Sequence, residues 1–269
     1  MIYLNLKGGL CNMLFQIAAA KSLSLEKNTN FSIMNLDEHF KTLYNYSSEQ
    51  PSLIHSSEYQ KLRMLSNILT EKPKNNLPIY QYPFEFVKYN ISGDDYIIDG
   101  FFQSEKYFLE NKEIIRDLFS PTDEINEIIN QKYSDLLKFK TTSIHVRRGD
   151  YLKNPDIHPT QTMDYYNEGI RLTKYNTEKY IVFSDDIPWC KENFKFDNFI
   201  FIEDEKDYIE LYLMSKCDNN IICNSSFSWW GAWLNNNPNK IVVGPSKWFG
   251  PTFQFFNTND VLPNNWFKI

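Results

Sequence analysis

The chain lacks any long apolar run. No stretch approaches the length of a membrane span, so no transmembrane segment is expected. It also lacks an excess of positive charge: 28 Lys and Arg stand against 34 Asp and Glu, a net charge of −6. Bulk attraction to nucleic acid or to an anionic membrane is thereby disfavoured, and any anionic ligand has to be held by a local cluster. Cysteine is scarce. Cys11, Cys190, Cys217 and Cys223 fit neither metal-ligand nor redox spacing, and their surroundings suit small buried side chains. Residues 1–6 run directly into a strand pattern with no basic-then-apolar leader. Asn224-Ser225-Ser226 is formally a glycosylation sequon, but a glycan there would block the motif described below. A reducing, cytoplasmic setting is the expectation that follows.

What the chain does have is aromatic side chains, 16% of its residues, within a 42% hydrophobic content. That composition favours a globular fold with ring-lined clefts over disorder. A length of 269 residues allows one large domain or two small ones.

Periodicity divides the chain. A strand over 2–6, a helix over 13–25 and a strand over 31–34 form a βαβ start. Residues 36–90 are polar and resist assignment apart from a helix near 57–69. A strand over 96–102 leads into a helix, and Pro121-Thr122-Asp123 caps another that runs to about residue 139. From residue 141 strands over 143–146, 180–184, 198–202, 220–223 and 240–243 alternate with helices over 163–173, 188–193, 206–216 and 227–235. This alternation predicts a parallel, doubly wound sheet. The expected halves are 1–138 and 139–269, with a cleft between them as a common place for a ligand. Asn219-Asn220 and Asn235-Asn236-Asn237 read as turn residues of compositional origin.

Four segments carry chemistry. In Ser143-Ile144-His145-Val146-Arg147-Arg148-Gly149-Asp150-Tyr151 a β-branched strand stops at two arginines and a carboxylate. Ligands of open α/β sheets bind at the carboxyl ends of strands, and guanidinium forks match phosphate oxygens. A solvated ion-pair cluster is the bland alternative. His145 shares a strand face with Arg147; it is a ligand contact or a satisfied core residue. In Cys223-Asn224-Ser225-Ser226-Phe227-Ser228-Trp229-Trp230-Gly231 a strand passes into a helix, and the hydroxyls of Ser225, Ser226 and Ser228 join the free N–H groups of the helix start as an anion cradle. The bland alternative is a serine cap. In Lys7-Gly8-Gly9-Leu10-Cys11-Asn12, Gly8 and Gly9 permit close backbone approach, without the spacing of a dinucleotide fingerprint. Asp185 and Asp186 end a strand, where acidic residues bind ribose or base N–H groups or cap the next helix.

Together these segments resemble glycosyltransferase family 11, the α-1,2-fucosyltransferase group, and more distantly the α-1,6- and protein O-fucosyltransferases. The resemblance runs from Gly8-Gly9-Leu10-Cys11-Asn12-Met13-Leu14-Phe15-Gln16 through Asp99-Gly100-Phe101-Phe102-Gln103-Ser104-Glu105-Lys106-Tyr107-Phe108. It continues through His145-Val146-Arg147-Arg148-Gly149-Asp150-Tyr151 and Phe183-Ser184-Asp185-Asp186 to Ser225-Ser226-Phe227-Ser228-Trp229-Trp230-Gly231. Cys11 and Met13 depart from the Gly-Gly-Leu-Gly-Asn-Gln usual in the family. The resemblance implies a GT-B-like α/β fold of two Rossmann-like halves and inverting transfer of fucose from GDP-fucose to a glycan. The implied acceptor is O-2 of a terminal galactose. It assigns Gly8, Gly9, Asn12, His145, Asp185, Ser225, Ser226, Phe227 and Ser228 to the donor, and Arg147, Arg148 and Asp150 to catalysis. Asp150 is either the general base or the partner that orients the arginines through a buried ion pair. No divalent metal is expected, because arginines stand where the diphosphate charge develops. The alternatives are another linkage or acceptor, or nucleotide binding without transfer. An adhesive Arg148-Gly149-Asp150 tripeptide is disfavoured, since it ends a core strand.

Overall fold

The computed structural model describes residues 1–34, 71–73 and 76–269. The helix expected near 57–69 lies outside the described residues. The chain divides into two units, Met1–Ser120 with Phe256–Pro263 and Pro121–Phe255 with Asn264–Ile269.

The first unit is built on a parallel sheet. Strand β1 (Ile2–Leu4) leads into helix α1 (Leu10–Glu26) and strand β2 (Phe31–Ile33), followed by β3 (Ile79–Gln81), β4 (Tyr96–Asp99) and, after two single 3-10 turns, α2 (Lys112–Leu118). The strand order is β2-β1-β4-β3, every pair parallel. Both faces of β1 are buried, as expected for a central parallel strand, and Ile2 and Leu4 lose all exposure. Helix α1 buries Phe15, Ile17, Ala18, Ala19, Ala20 and Leu23. The small alanines permit close approach of its backbone to neighbouring elements. Gln16 on this helix is fully buried; it accepts from Lys7 N at 2.9 Å and donates to Lys7 O at 2.8 Å. The loop between β1 and α1 is thus fixed from below.

The second unit carries α3 (Asp123–Tyr133), β5 (Thr141–Val146), α4 (Met163–Thr173), β6 (Lys179–Ser184), α5 (Ile187–Asn193) and β7 (Phe199–Phe201). It continues with α6 (Asp207–Lys216), β8 (Asn219–Ile221), α7 (Ser226–Leu234), β9 (Val242–Gly244) and β10 (Phe267–Lys268). Its parallel sheet has the order β10-β9-β8-β5-β6-β7. Helix α3, assigned from sequence to the first half, belongs to this unit: Lys132 and Tyr133 both bond Glu205 at 2.8 Å. Thr122 caps it as expected, accepting from Ile125 N at 3.3 Å. Strands β3 and β10 carried no sequence signal; they span three and two residues at sheet edges and stay largely exposed.

The asparagines expected in turns instead form a buried network. Asn219 and Asn220 lie in β8 and, with Asn235, are buried. Asn220 donates to Ser143 Oγ at 2.7 Å and to Met214 O at 2.9 Å, and Asn235 donates to Asn220 Oδ1 at 2.9 Å. These bonds satisfy polar atoms of β5, α6 and β8 that would otherwise be buried without partners, at a cost of about 1–3 kcal/mol each. The four cysteines are free and buried, as their surroundings suggested. Among the described residues no helix is long and apolar enough to cross a membrane.

Gly250 marks the tightest backbone approach. Gly250 N donates to Ile157 O and Thr252 N to Asp156 O, both at 2.9 Å. A Cβ at Gly250 would stand 2.5 Å from Asp156 O. Backbone atoms cannot swing aside, so Gly250→Ala should destabilise by about 1–3 kcal/mol through overpacking. Urea unfolding checks this against Gly9→Ala, whose added Cβ meets nothing within 4 Å; equal midpoints for the two variants would refute it.

Candidate functional site

Strands β5 and β6 pair in parallel with Val146 opposite Ser184. The residues that follow them therefore emerge side by side, which brings Arg147-Arg148 and Asp185-Asp186 together across the sheet edge. Asp185 is the hub. Its Oδ1 accepts from Arg148 N at 2.8 Å, its Oδ2 from Gly149 N at 3.0 Å, and Oδ2 also lies 3.1 Å from Arg147 Nε. Gly149 is required by this approach, since a Cβ there would stand 2.8 Å from Asp185 Oδ2. Asp186 accepts from Arg148 Nε at 2.9 Å and also caps α5 through Trp189 N at 3.2 Å. Trp189 lies beneath the Arg148 guanidinium at 4.2 Å, a cation–π stack that fixes the plane of the fork.

Asp150 accepts from Arg147 Nε at 2.8 Å. Its side chain is 57% exposed, so the pair is a surface one rather than the buried pair expected. Burial works against the charge on Arg147, but Asp185 and Asp150 outweigh it and raise its pKa. The carboxylates engage the arginines at Nε; among the described residues neither guanidinium makes a hydrogen bond through its terminal Nη atoms. Those paired donors are the part of the fork that matches an oxyanion.

His145 is buried in β5, with Nδ1 3.2 Å from Cys223 Sγ and its ring 5.4 Å from that of Phe227. Burial, with the nearby Arg147 charge, lowers its pKa to about 3, so the imidazole is neutral. The serine cradle is smaller than expected. Ser225 is the cap of α7 and accepts from Phe227 N at 3.3 Å; Ser228 is buried and donates to Ser225 O at 3.4 Å. Two of the three hydroxyls therefore serve the turn itself, and Ser226 opens the helix.

Other residues at this strand end were not singled out from sequence. Tyr151 donates to Asn224 O at 2.8 Å and stacks on His158 at 4.9 Å, with Arg147 5.9 Å from the Tyr151 ring. Asn224 donates to Pro159 O and Trp248 O and accepts from Gln161 Nε2 at 2.9 Å. One asparagine thus ties the β5–α4 connection and the segment after β9 to the end of β8.

In the first unit Gly8 adopts φ +72°. A Cβ there would stand 2.6 Å from Asn12 Nδ2, so glycine makes room for the Asn12 amide on the first turn of α1. Gly9 is the cap of that helix and offers no side chain. Asn12 Oδ1 accepts from Gln103 Nε2 at 2.7 Å. Lys7 and Asp99 form an ion pair at the same sheet end. Phe102, beside Gln103, holds φ +52° although it is a buried aromatic, a strained conformation costing about 1–3 kcal/mol. Among the described residues no three His, Cys, Asp or Glu side chains converge as metal ligands.

The family model for glycosyl transferase family 11 matches residues 1–269. An α-1,2-colitosyltransferase of Escherichia coli is 34% identical, covering 98% of this chain and 97% of its own length. The O-antigen biosynthesis glycosyltransferase WbnK, also of Escherichia coli, is 32% identical over the whole of both chains. The solved structure of POFUT1 in complex with GDP-fucose superposes with a TM-score of 0.51 at 11% identity, covering 90% of this chain and 96% of that one. This last likeness is one of fold, and the fold is GT-B-like.

The neutral state of His145 makes stability depend on pH. The unfolded imidazole takes up its proton near pH 6.5, while the folded one resists down to about 3. Stability is therefore full above pH 6.5 and falls as the pH drops through that window, by up to about 1.4 kcal/mol per unit. Between pH 7 and 5, urea midpoints of His145→Gln should change less than those of the wild type. Parallel curves would show that His145 does not carry this dependence.

Proposed function

The chain belongs to glycosyl transferase family 11, and on that premise we propose that it is an inverting fucosyltransferase acting from GDP-fucose on O-2 of a terminal galactose. The observation that carries this reading is the pair of arginines at the end of β5, each restrained at Nε by a carboxylate while its terminal donors face no partner among the described residues. Such a preset pair suits a leaving diphosphate. As the bond from the anomeric carbon to the β-phosphate oxygen breaks, negative charge grows on that oxygen, and prepositioned cations stabilise the transition state without reorganising. The acceptor hydroxyl attacks from the opposite face, forming the new glycosidic bond. Its proton passes to a base or to water, while GDP departs. In this reading Gly8, Gly9, Asn12, His145, Asp185, Ser225, Ser226, Phe227 and Ser228 form the donor environment.

The arginines take the electrostatic part that a divalent ion plays in other transferases. Asp185 and Asp186 are committed to those arginines and to backbone N–H groups, which supports a metal-independent reaction. The cytoplasm is the proposed site of action. A second reading has colitose as the transferred sugar, favoured by the 34% identity to a colitosyltransferase.

Transfer to galactose-terminated glycans from a panel of nucleotide sugars, with the product linkage determined, tests the reading. GDP-fucose should be used, in excess chelator as well as without it. A preference for UDP- or ADP-linked donors would overturn the donor, and loss of activity restored by manganese would overturn metal independence. Arg147→Ala should lower kcat by on the order of 10²–10³, with little rescue in Arg147→Lys, whose ammonium has no fork. Near-normal turnover by a folded Arg147→Ala chain would refute the phosphate role.

A further inference from the structure

Several buried polar atoms of the first unit have no hydrogen-bond partner among the described residues, and one of them, on Gln103, lies beside the loop between β1 and α1. Gln103 is 5% exposed. Its Nε2 donates to Asn12 Oδ1 at 2.7 Å, but its Oε1 is buried with no partner among the described residues. A buried acceptor left unpaired is destabilising, so such atoms call for an explanation. Here the surroundings supply one. The Gln103 amide meets the first turn of α1, beside the loop in which Gly8 takes a positive φ to admit Asn12. The neighbouring Phe102 holds a left-handed backbone that L-residues of its size avoid. Strain and unpaired buried acceptors are both features that gather at ligand-binding sites.

The chemistry of the atom narrows the ligand. A carbonyl oxygen accepts and cannot donate, so it repels a phosphate oxygen and selects an O–H or N–H group. The amide as a whole offers an acceptor and a second N–H, which a hydroxyl, itself both donor and acceptor, can meet together. We propose that Gln103, held in place by Asn12, accepts a hydrogen bond from a hexose hydroxyl of the substrate and thereby distinguishes hydroxylated sugars from their deoxy counterparts. This inference rests on the glycosyltransferase reading above and adds a specificity residue to it. The same chemistry is offered by the donor hexose and by the acceptor hexose. A site built around a buried acceptor discriminates strongly, because an analogue lacking the hydroxyl leaves the acceptor unpaired.

The test compares wild type with Gln103→Leu on two panels. One consists of GDP-fucose and its 2-, 3- and 4-deoxy analogues, the other of a galactoside acceptor and its singly deoxygenated forms. The wild type should reject one analogue by on the order of 10²-fold or more in kcat/KM. In Gln103→Leu that discrimination alone should collapse to a few-fold, with GDP affinity unchanged. The panel in which the collapse occurs identifies the donor or the acceptor as the source. Gln103→Met, which removes the acceptor oxygen at similar volume, should lose the same discrimination and serves if the leucine variant does not fold. A folded Gln103→Leu chain that keeps every discrimination overturns the inference. So does one whose affinity for GDP alone falls, since that outcome makes Gln103 a nucleotide contact. If the wild type transfers from none of the fucose donors, the donor reading fails, and this inference fails with it.

Discussion

One carboxylate, Asp185, holds the end of a neighbouring strand in place. The parallel register of β5 and β6 delivers it beside the turn that follows β5. There it accepts from two successive backbone N–H groups and one guanidinium. Backbone N–H groups and a cation satisfy the carboxylate, and the carboxylate fixes both the turn and the direction of Arg147. Gly149 is part of the same constraint, because any side chain there would displace the carboxylate. Remove the charge of Asp185 and the turn loses its acceptor, the arginine its orientation, and the glycine its reason.

Asp150 reaches the same Nε atom but carries less structural weight. It bonds no backbone N–H of the turn in the way Asp185 does, and more than half of its side chain is in solvent. Exposed pairs of this kind contribute roughly 0–1 kcal/mol. Asp185 also lies 3.1 Å from Arg147 Nε, so the two carboxylates share the orientation of Arg147.

The architecture was legible in the sequence where hydrophobic periodicity is strong. Strands β5 and β6 and helix α4 lie within two residues of their expected bounds, because the strands are buried runs ended by charge and the helix is amphipathic, burying Tyr165, Tyr166, Gly169 and Thr173. Composition misled at the asparagines. Asn219 and Asn220 look like turn residues until their partners on β5, 77 positions away in sequence, are known. The arginine pair was legible as an anion site, but its dependence on Asp185 was not. That dependence arises from register, which pairs residues some 37 positions apart. His158 and Trp189 gave no local signal, since stacking beneath a guanidinium or on another ring leaves no pattern of spacing.

The two units solve the same topological problem with different chemistry. Each has a parallel sheet whose strand ends collect polar groups, as open α/β sheets do. In the second unit those groups are cations steadied by carboxylates, suited to charge that develops during a reaction. In the first unit they include, beside the Lys7–Asp99 ion pair, the amides of Asn12 and Gln103, seated by a glycine with positive φ and a strained Phe102. Amides carry no net charge, so they contribute little to stabilising a leaving diphosphate. What they add is direction, because a hydroxyl has to meet both the position and the polarity of the amide. On the roles proposed here, the chain separates charge stabilisation from the recognition of neutral polar groups. The residue types alone suggest that separation, but only the burial of Gln103 makes it specific.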